Sequence, residues 1–231
     1  MEHIICSSIM SFASHNDIFY ALQHSFRNKR SCESQLLEFI EDVSHNMQNG
    51  HQTDVCMLDF SKAFDKVDHI RLIEKLKWYG STNDWIKSLL TNRTHSVVLD
   101  GVASSSIHVT SGVLQGSVLG PCLFLFYING IAQNLHSTTR LFADVAMIYM
   151  AMKNEMDAKL MQKDLDTLQN WENQWMMEFH PEKCEVISIT RKRKPKIFAY
   201  TLHGLELKHV WYTKYLGVHI THNLRWDKQV L

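Results

Sequence analysis

Four consecutive apolar residues, Val55, Cys56, Met57 and Leu58, run straight into a carboxylate, Asp59. Four is too few for a buried helix and suits a strand covered on both faces. Asp59 then closes the carboxyl end of that strand. An acid there has to be hydrogen-bonded, ion-paired or bound to a cation, because leaving it buried and unpartnered costs on the order of several kcal/mol. The plainer reading is an aspartate that caps a turn. It loses ground when a second acid of the same kind turns up downstream.

That second acid is Asp144, the single ionisable residue of the run LFADVAMIYM at residues 141–150. The run predicts two short strands joined by a tight turn that projects Asp144 outward. Two carboxylates brought together repel, and a divalent cation is the usual reason for keeping such a pair ionised. Upstream lies SGVLQGSVLGP, residues 111–121, where three glycines and Gln115 precede an apolar helix over residues 122–128. Such a loop lets backbone approach a ligand closely. By itself a glycine loop is a weak signal.

The rest reads as support. Residues 1–22 carry scattered apolar positions for one or two helices without an evident partner for their apolar face. Ser31 can cap a helix with Leu36, Ile40, Val43 and Met47 at helical spacing, ended by Gly50. Arg27, Lys29 and Arg30 precede it. They suit phosphate near a helix N-terminus, although a solvated basic turn is the plainer reading of each. Asp68 caps a helix with Leu72, Ile73 and Leu76, and a short helix follows at residues 85–90. Strands at 96–99 and 107–110 flank the hairpin signal Asp100-Gly101. A long helix over 157–175 buries Leu160, Leu165, Leu168 and Trp171 or Trp175. After it come a strand at 185–189, a basic link at 191–196, and strands at 198–202 and 215–220. The basic link reads either as a nucleic-acid or nuclear-import patch or as a solvated hairpin tip. His219 and His222 read as surface residues.

Composition narrows the class. With 45% apolar residues, few glycines and prolines and 21% charge, a disordered or collagen-like chain is excluded. A net charge of zero gives no global case for nucleic acid, though fourteen histidines and the basic link leave room for a local groove. Cys6, Cys32, Cys56, Cys122 and Cys184 form no CxxC pair, so neither a zinc knuckle nor a disulfide framework is indicated. That usage, with no signal peptide and no apolar run of membrane-spanning length, predicts an intracellular protein of nucleus or cytoplasm, not secreted and not in a membrane.

Taken in order, the motifs resemble the reverse transcriptase of non-LTR (LINE-type) retrotransposons over about residues 23–226. LDFSKAFDKV is similar to the first palm motif, SGVLQGSVLGP to the second and FADV to the third, which normally carries two aspartates. HPEKC and KYLGV follow as the fourth and fifth, and QHSFRNKRS resembles a fingers motif that usually reads QxGFRxxRS. The resemblance implies an α/β (α+β) fold, a right-hand polymerase palm whose mixed, largely antiparallel sheet is covered by helices. It implies one partial domain, with about residues 1–50 as partial fingers and 51–231 as palm. It also implies a truncated copy, its first fingers strand expected before Met1 and its thumb beyond Leu231.

The chemistry implied is RNA-directed DNA polymerisation on an RNA template and DNA primer with deoxynucleoside triphosphates. Asp59 and Asp144 match the carboxylates that hold two Mg²⁺ (or Mn²⁺) ions. Lys183 matches a proposed general acid for pyrophosphate. Phe64 matches the steric gate against a 2′-hydroxyl, with a core aromatic as its plain reading. Gln115 and Gly116 match positions at the incoming nucleotide, and Arg27 and Arg30 match triphosphate contacts. Val145 stands where the third carboxylate is usual, Leu114 where a proline is, and Ser25 where a glycine is. Two classes follow: an enzyme impaired by Val145, and an inactive remnant or nucleic-acid-binding scaffold with the polymerase fold.

Overall fold

The strand that ends on Asp59 begins earlier than its apolar core predicts, at Gln52, because Gln52, Thr53 and Asp54 are buried as well. Each of these polar residues needs a partner, and Asp54 has several. Gln52 Nε2 donates to it at 2.7 Å and the Tyr200 hydroxyl at 2.8 Å. Burial still raises the Asp54 carboxyl above its ordinary range.

The computed structural model describes residues 1–81, 84–91 and 93–229. In chain order the helices and strands are α1 (Glu2–His15), α2 (Cys32–Gln48), β1 (Gln52–Asp59), α3 (His69–Trp78), α4 (Asp84–Leu90), β2 (Thr94–His95), β3 (Val98–Leu99), β4 (Val102–Ala103) and β5 (Ile107–His108). They continue with α5 (Leu119–Ile128), β6 (Thr138–Phe142), β7 (Val145–Met152), α6 (Glu155–Trp175), a 3₁₀ turn (Pro181–Lys183), β8 (Glu185–Ile189), β9 (Thr201–Leu202), β10 (Leu205–Glu206), β11 (Lys208–Val210), β12 (Tyr212–Tyr215) and β13 (Val218–Thr221). Contacts gather these into two compact units. One comprises Met1–Tyr20, Lys62–Asn129 and Trp175–Met177, the other Ala21–Ser61, Gly130–Gln174 and Glu178–Leu231. Among the described residues no helix is long and apolar enough to cross a membrane.

The second unit is built on a five-stranded sheet in the order β11-β8-β1-β7-β6. All neighbours are antiparallel except β11 and β8. Helix α2 starts at a reciprocal cap, Ser31 and Ser34 each accepting from the other's backbone N–H, and packs Phe39, Val43 and Met47 against Val55, Met57, Met147 and Tyr149. Leu36 and Ile40, expected inside, are only half-buried at its margin. Arg140 on β6 is 3% exposed and binds Glu38, Asp42 and the Tyr149 hydroxyl, fastening β6 and β7 to α2. In α6, Met161 takes the inward place expected of Leu160, alongside Leu165, Leu168 and Trp171. Residues 215–220 are a hairpin turn at Leu216-Gly217 between β12 and β13, not the single strand expected. Both turn residues have positive φ, so a Leu-Gly pair forms the turn that Asn-Gly usually marks. His219 and His222 are half-buried rather than surface residues, beside Tyr212 and Trp211.

The first unit surrounds α5, whose residues are buried at every position but Pro121. Helix α1 does have a partner, since it packs on α5, and Phe19 meets Phe126 edge-on at 4.8 Å. Asp68 caps α3 by accepting from Arg71 N–H at 2.8 Å. Asp100 and Gly101, both with positive φ, turn the chain between β3 and β4. Residues 107–110, however, do not pair with 96–99 as expected; β5 pairs with β2, outside that tight hairpin. Lys75 on α3 is buried, its Nζ donating to the Tyr127 carbonyl at 2.6 Å beneath the Trp175 ring.

Candidate active site

Asp59 is the last residue of β1, and its partner across the ladder is Val145, the first of β7. One step further, Phe60 N–H donates to the Asp144 carbonyl at 3.2 Å. The two-residue turn Ala143-Asp144 between β6 and β7 therefore abuts the carboxyl end of β1, and facing backbones in such a pair lie about 4.5–5.5 Å apart. Ala143 takes a positive φ of 52° while Asp144 does not, the sign pattern of a II′ hairpin turn. The sequence signals at Asp59 and Asp144, some eighty-odd residues apart in the chain, thus converge through the pairing of β1 with β7.

Lys183 joins them from the 3₁₀ turn. His180 N–H donates to the Asp59 carbonyl at 2.8 Å, Lys183 N–H donates to the His180 carbonyl at 2.9 Å, and Lys183 Nζ comes to 3.5 Å from Asp59 Oδ2. With side-chain exposures of 61% and 31%, this pair is open to water and contributes little to stability. Next to it, burial pushes the Cys184 thiol up to about 11, so it stays neutral.

Two carboxylates beside open solvent fit a hard divalent cation, which takes one or two protein oxygens and completes its shell with water and phosphate. The Val145 side chain offers no oxygen. Among the described residues no group of three or more His, Cys, Asp or Glu side chains gathers as a cation site.

The same unit holds Arg27 and Arg30. Arg30 Nη1 donates to Glu38 Oε1 at 3.1 Å and touches His24 Nε2 at 3.0 Å; Arg27 Nη1 reaches the Gln23 carbonyl at 3.4 Å. Arg30 is thus engaged with the Glu38 carboxylate that also binds Arg140.

The other expected residues fall in the first unit. The Phe64 ring, half-buried, stacks on Phe124 with centroids 4.5 Å apart. Its carbonyl accepts from Val113 N–H at 2.8 Å, which brings the glycine loop alongside. In that loop Gln115 is exposed, and Gly116, with φ +88°, has nothing within 4 Å of where a Cβ would stand. Backbone is open to a ligand there. Gly120 serves packing, because a Cβ would meet the Leu114 carbonyl at 2.2 Å.

Sequence reasoning missed the role of Ser25. Its hydroxyl accepts from Ala143 N–H, and its segment pairs with β6 through His24 N–H to the Leu141 carbonyl at 3.2 Å and Leu141 N–H to the Leu22 carbonyl at 3.1 Å. The signal was present as a serine where the resembled motif carries glycine, without anything local to say what it touches.

Comparison with known proteins gives the family and the fold. Residues 2–220 match the family described as reverse transcriptase (RNA-dependent DNA polymerase). The chain is 26% identical to the RNA-directed DNA polymerase from mobile element jockey of Drosophila melanogaster, over 100% of this chain and 26% of that protein. It is 27% identical to the probable RNA-directed DNA polymerase from transposon X-element of the same fly, over 99% and 26%. The chain thus spans about a quarter of the length of these relatives. Among solved structures, apo telomerase from Candida tropicalis truncated from its C-terminal domain superposes with a TM-score of 0.64 at 12% identity, covering 98% of this chain and 44% of that one. Telomerase from the same yeast in complex with a fragment of telomeric RNA gives 0.66 at 10% identity, over 100% and 37%. The polymerase fold is common to all three. With the family matched across nearly its whole length, this chain belongs to the reverse transcriptases, as a domain of the non-LTR retrotransposon kind.

Proposed function

We propose that the chain is the nucleotidyl-transfer module of an RNA-directed DNA polymerase, and that Val145 attenuates it. The observation that carries the reading is the abutment of Asp59 with the Ala143-Asp144 turn, with Lys183 at 3.5 Å from Asp59. Reverse transcriptases depend on a divalent metal, and their domains bind an RNA template and a DNA primer. Asp59 and Asp144 are the residues that hold Mg²⁺ or Mn²⁺, two ions in the full reading. When bound, such ions lower the pKa of the primer 3′-hydroxyl and neutralise charge on the reacting phosphate. Lys183 passes its proton to the leaving pyrophosphate. Gln115 and the open backbone at Gly116 meet the incoming deoxynucleoside triphosphate, Arg27 and Arg30 its phosphates, and Phe64 rejects a 2′-hydroxyl.

Val145 favours a second reading, a nucleic-acid-binding scaffold without turnover. A valine facing Asp59 leaves the site one carboxylate short of the family pattern. Primer extension on an RNA template with Mg²⁺ or Mn²⁺ decides between them. Extension by the purified chain that disappears in Asp59→Asn supports the enzyme. No extension by the chain or by Val145→Asp overturns it in favour of the scaffold.

A further inference from the structure

The far end of β1 has a character of its own. Gln52 pairs with Met152 in the ladder, seven steps from Asp59, which at the usual strand rise puts it about 23 Å from the carboxylates. Both residues line a cleft of about 370 Å³ with Lys153, Lys192, Lys194 and Phe198. A neighbouring cleft of about 460 Å³ shares Lys196 and Phe198 and adds Lys159. The two clefts share Glu155, Lys196 and the half-buried Phe198 ring, and are taken together as one groove.

The basic segment on its wall is not a loose hairpin tip. Buried Gln52 clamps it by donating from Nε2 to the Lys196 carbonyl at 2.7 Å and accepting Lys196 N–H on Oε1 at 3.1 Å. Lys192 N–H donates in turn to Thr190 Oγ1 at 3.1 Å. Lys196 is engaged, paired with Glu155 and 5.3 Å over the Phe198 ring. Lys153, Lys192 and Lys194 make no ion pair among the described residues. The N-terminus of α6 adds nothing, because Asp157 already accepts from Lys153 and Asn154 N–H.

Three exposed lysines without ion partners, beside an aromatic ring and with the one acid of the lining, Glu155, already taken by Lys196, match the recognition of an unpaired polynucleotide, whose phosphates take the cations and whose bases stack. We propose that this groove is a second nucleic-acid site, distinct from the carboxylate end, that holds a single strand by its phosphates on Lys153, Lys192 and Lys194 with a base on Phe198. An import receptor reading residues 191–196 as an extended peptide would first have to break the Gln52 clamp, so the strand is the better fit.

The test is binding of short fluorescein-labelled oligouridylate and oligothymidylate to the chain across a salt series, with no polymerisation step. Replacing the three lysines by glutamine should weaken binding by roughly tenfold or more and flatten the logarithmic salt slope by about two, three phosphates at roughly 0.7 each. Phe198→Ala should weaken it by roughly tenfold at unchanged slope. In the parent, bound strand should protect Lys153, Lys192 and Lys194 from amine acylation. Because acylation is read at this groove alone, the result stands whether or not the carboxylate end turns over. The proposal is overturned if both variants, folded by their melts, bind like the parent, or if the lysines stay equally reactive under saturating strand. It also fails if polyglutamate binds as tightly and Phe198→Ala changes nothing, since the groove would then take any polyanion.

Discussion

The Ser25 hydroxyl accepts a hydrogen bond from Ala143 N–H at 2.8 Å, tying the segment ahead of α2 to the turn that carries Asp144. The same hydroxyl donates to Gln23 Oε1 at 2.8 Å, and Ser25 is 2% exposed. Removing it leaves the Ala143 amide without that partner, at a cost of about 1–3 kcal/mol. Ser25→Ala should lower Tm by roughly 3–10 °C and speed hydrogen exchange at the Ala143 amide. An unchanged melt with unchanged exchange would show that the bond carries no weight.

Val145→Asp should raise primer extension by roughly 10²-fold to 10⁴-fold. It places an acid directly opposite Asp59, so without metal the variant should melt lower than the parent, like charges across a ladder being unfavourable by about 0.2–1 kcal/mol. Added Mg²⁺ or Mn²⁺ should then raise the variant's Tm more than the parent's. Equal metal responses in the two proteins would sink the third-carboxylate account even before activity is measured.

Phe64→Ala should let more ribonucleotide into product relative to deoxyribonucleotide, measured in the Val145→Asp background where extension is strong. Because the ring stacks on Phe124, the variant should also lose stability, about 1–3 kcal/mol for a half-buried aromatic. A stability loss with no change in sugar selectivity would leave Phe64 a core residue only.

Lys75 makes stability depend on pH. Burial pushes its ammonium from 10.5 down to about 7, so as pH falls below the unfolded value the unfolded chain takes up a proton that the folded chain does not. Stability is therefore highest at alkaline pH, drops as pH falls toward about 7, and is flat with respect to this group below that. Lys75→Met should flatten that slope between about pH 7 and 9.5 and stabilise the protein near pH 7 by a few kcal/mol, less the hydrogen bond to Tyr127. Denaturant unfolding of both proteins across that window decides it. Parallel slopes would place the proton elsewhere.

What is legible in the sequence is local. The apolar run into Asp59, the acid alone in residues 141–150 and the caps at Ser31 and Asp68 declare themselves through neighbours a few residues away. The start of β1 at Gln52, Thr53 and Asp54 is not legible in sequence because burial of a polar residue depends on partners such as Tyr200, which lies remote in the chain. Lys75 hid in an amphipathic helix for the same reason. The β12–β13 hairpin looks like a single strand in sequence because Leu216-Gly217 lacks the usual turn pair. Of the candidate site, both carboxylates were legible as isolated acids, whereas the nearness of Lys183 to Asp59 rests on how the His180 backbone docks on β1.

Strand β1 comes first of the five in the chain yet lies in the middle of the sheet, and its partners are made late. Gln52 waits for Met152, roughly a hundred residues on, and Thr53 waits for Ile189, later still; closures of that span make folding slow. At ordinary ribosomal speeds both edges of β1 stay unpaired for on the order of ten seconds after it emerges. An apolar strand with two bare edges is a template for pairing with other chains. Yield of folded protein should therefore be governed by events during synthesis, and improve with holdase chaperones or slower initiation more than with any change that stabilises the finished sheet.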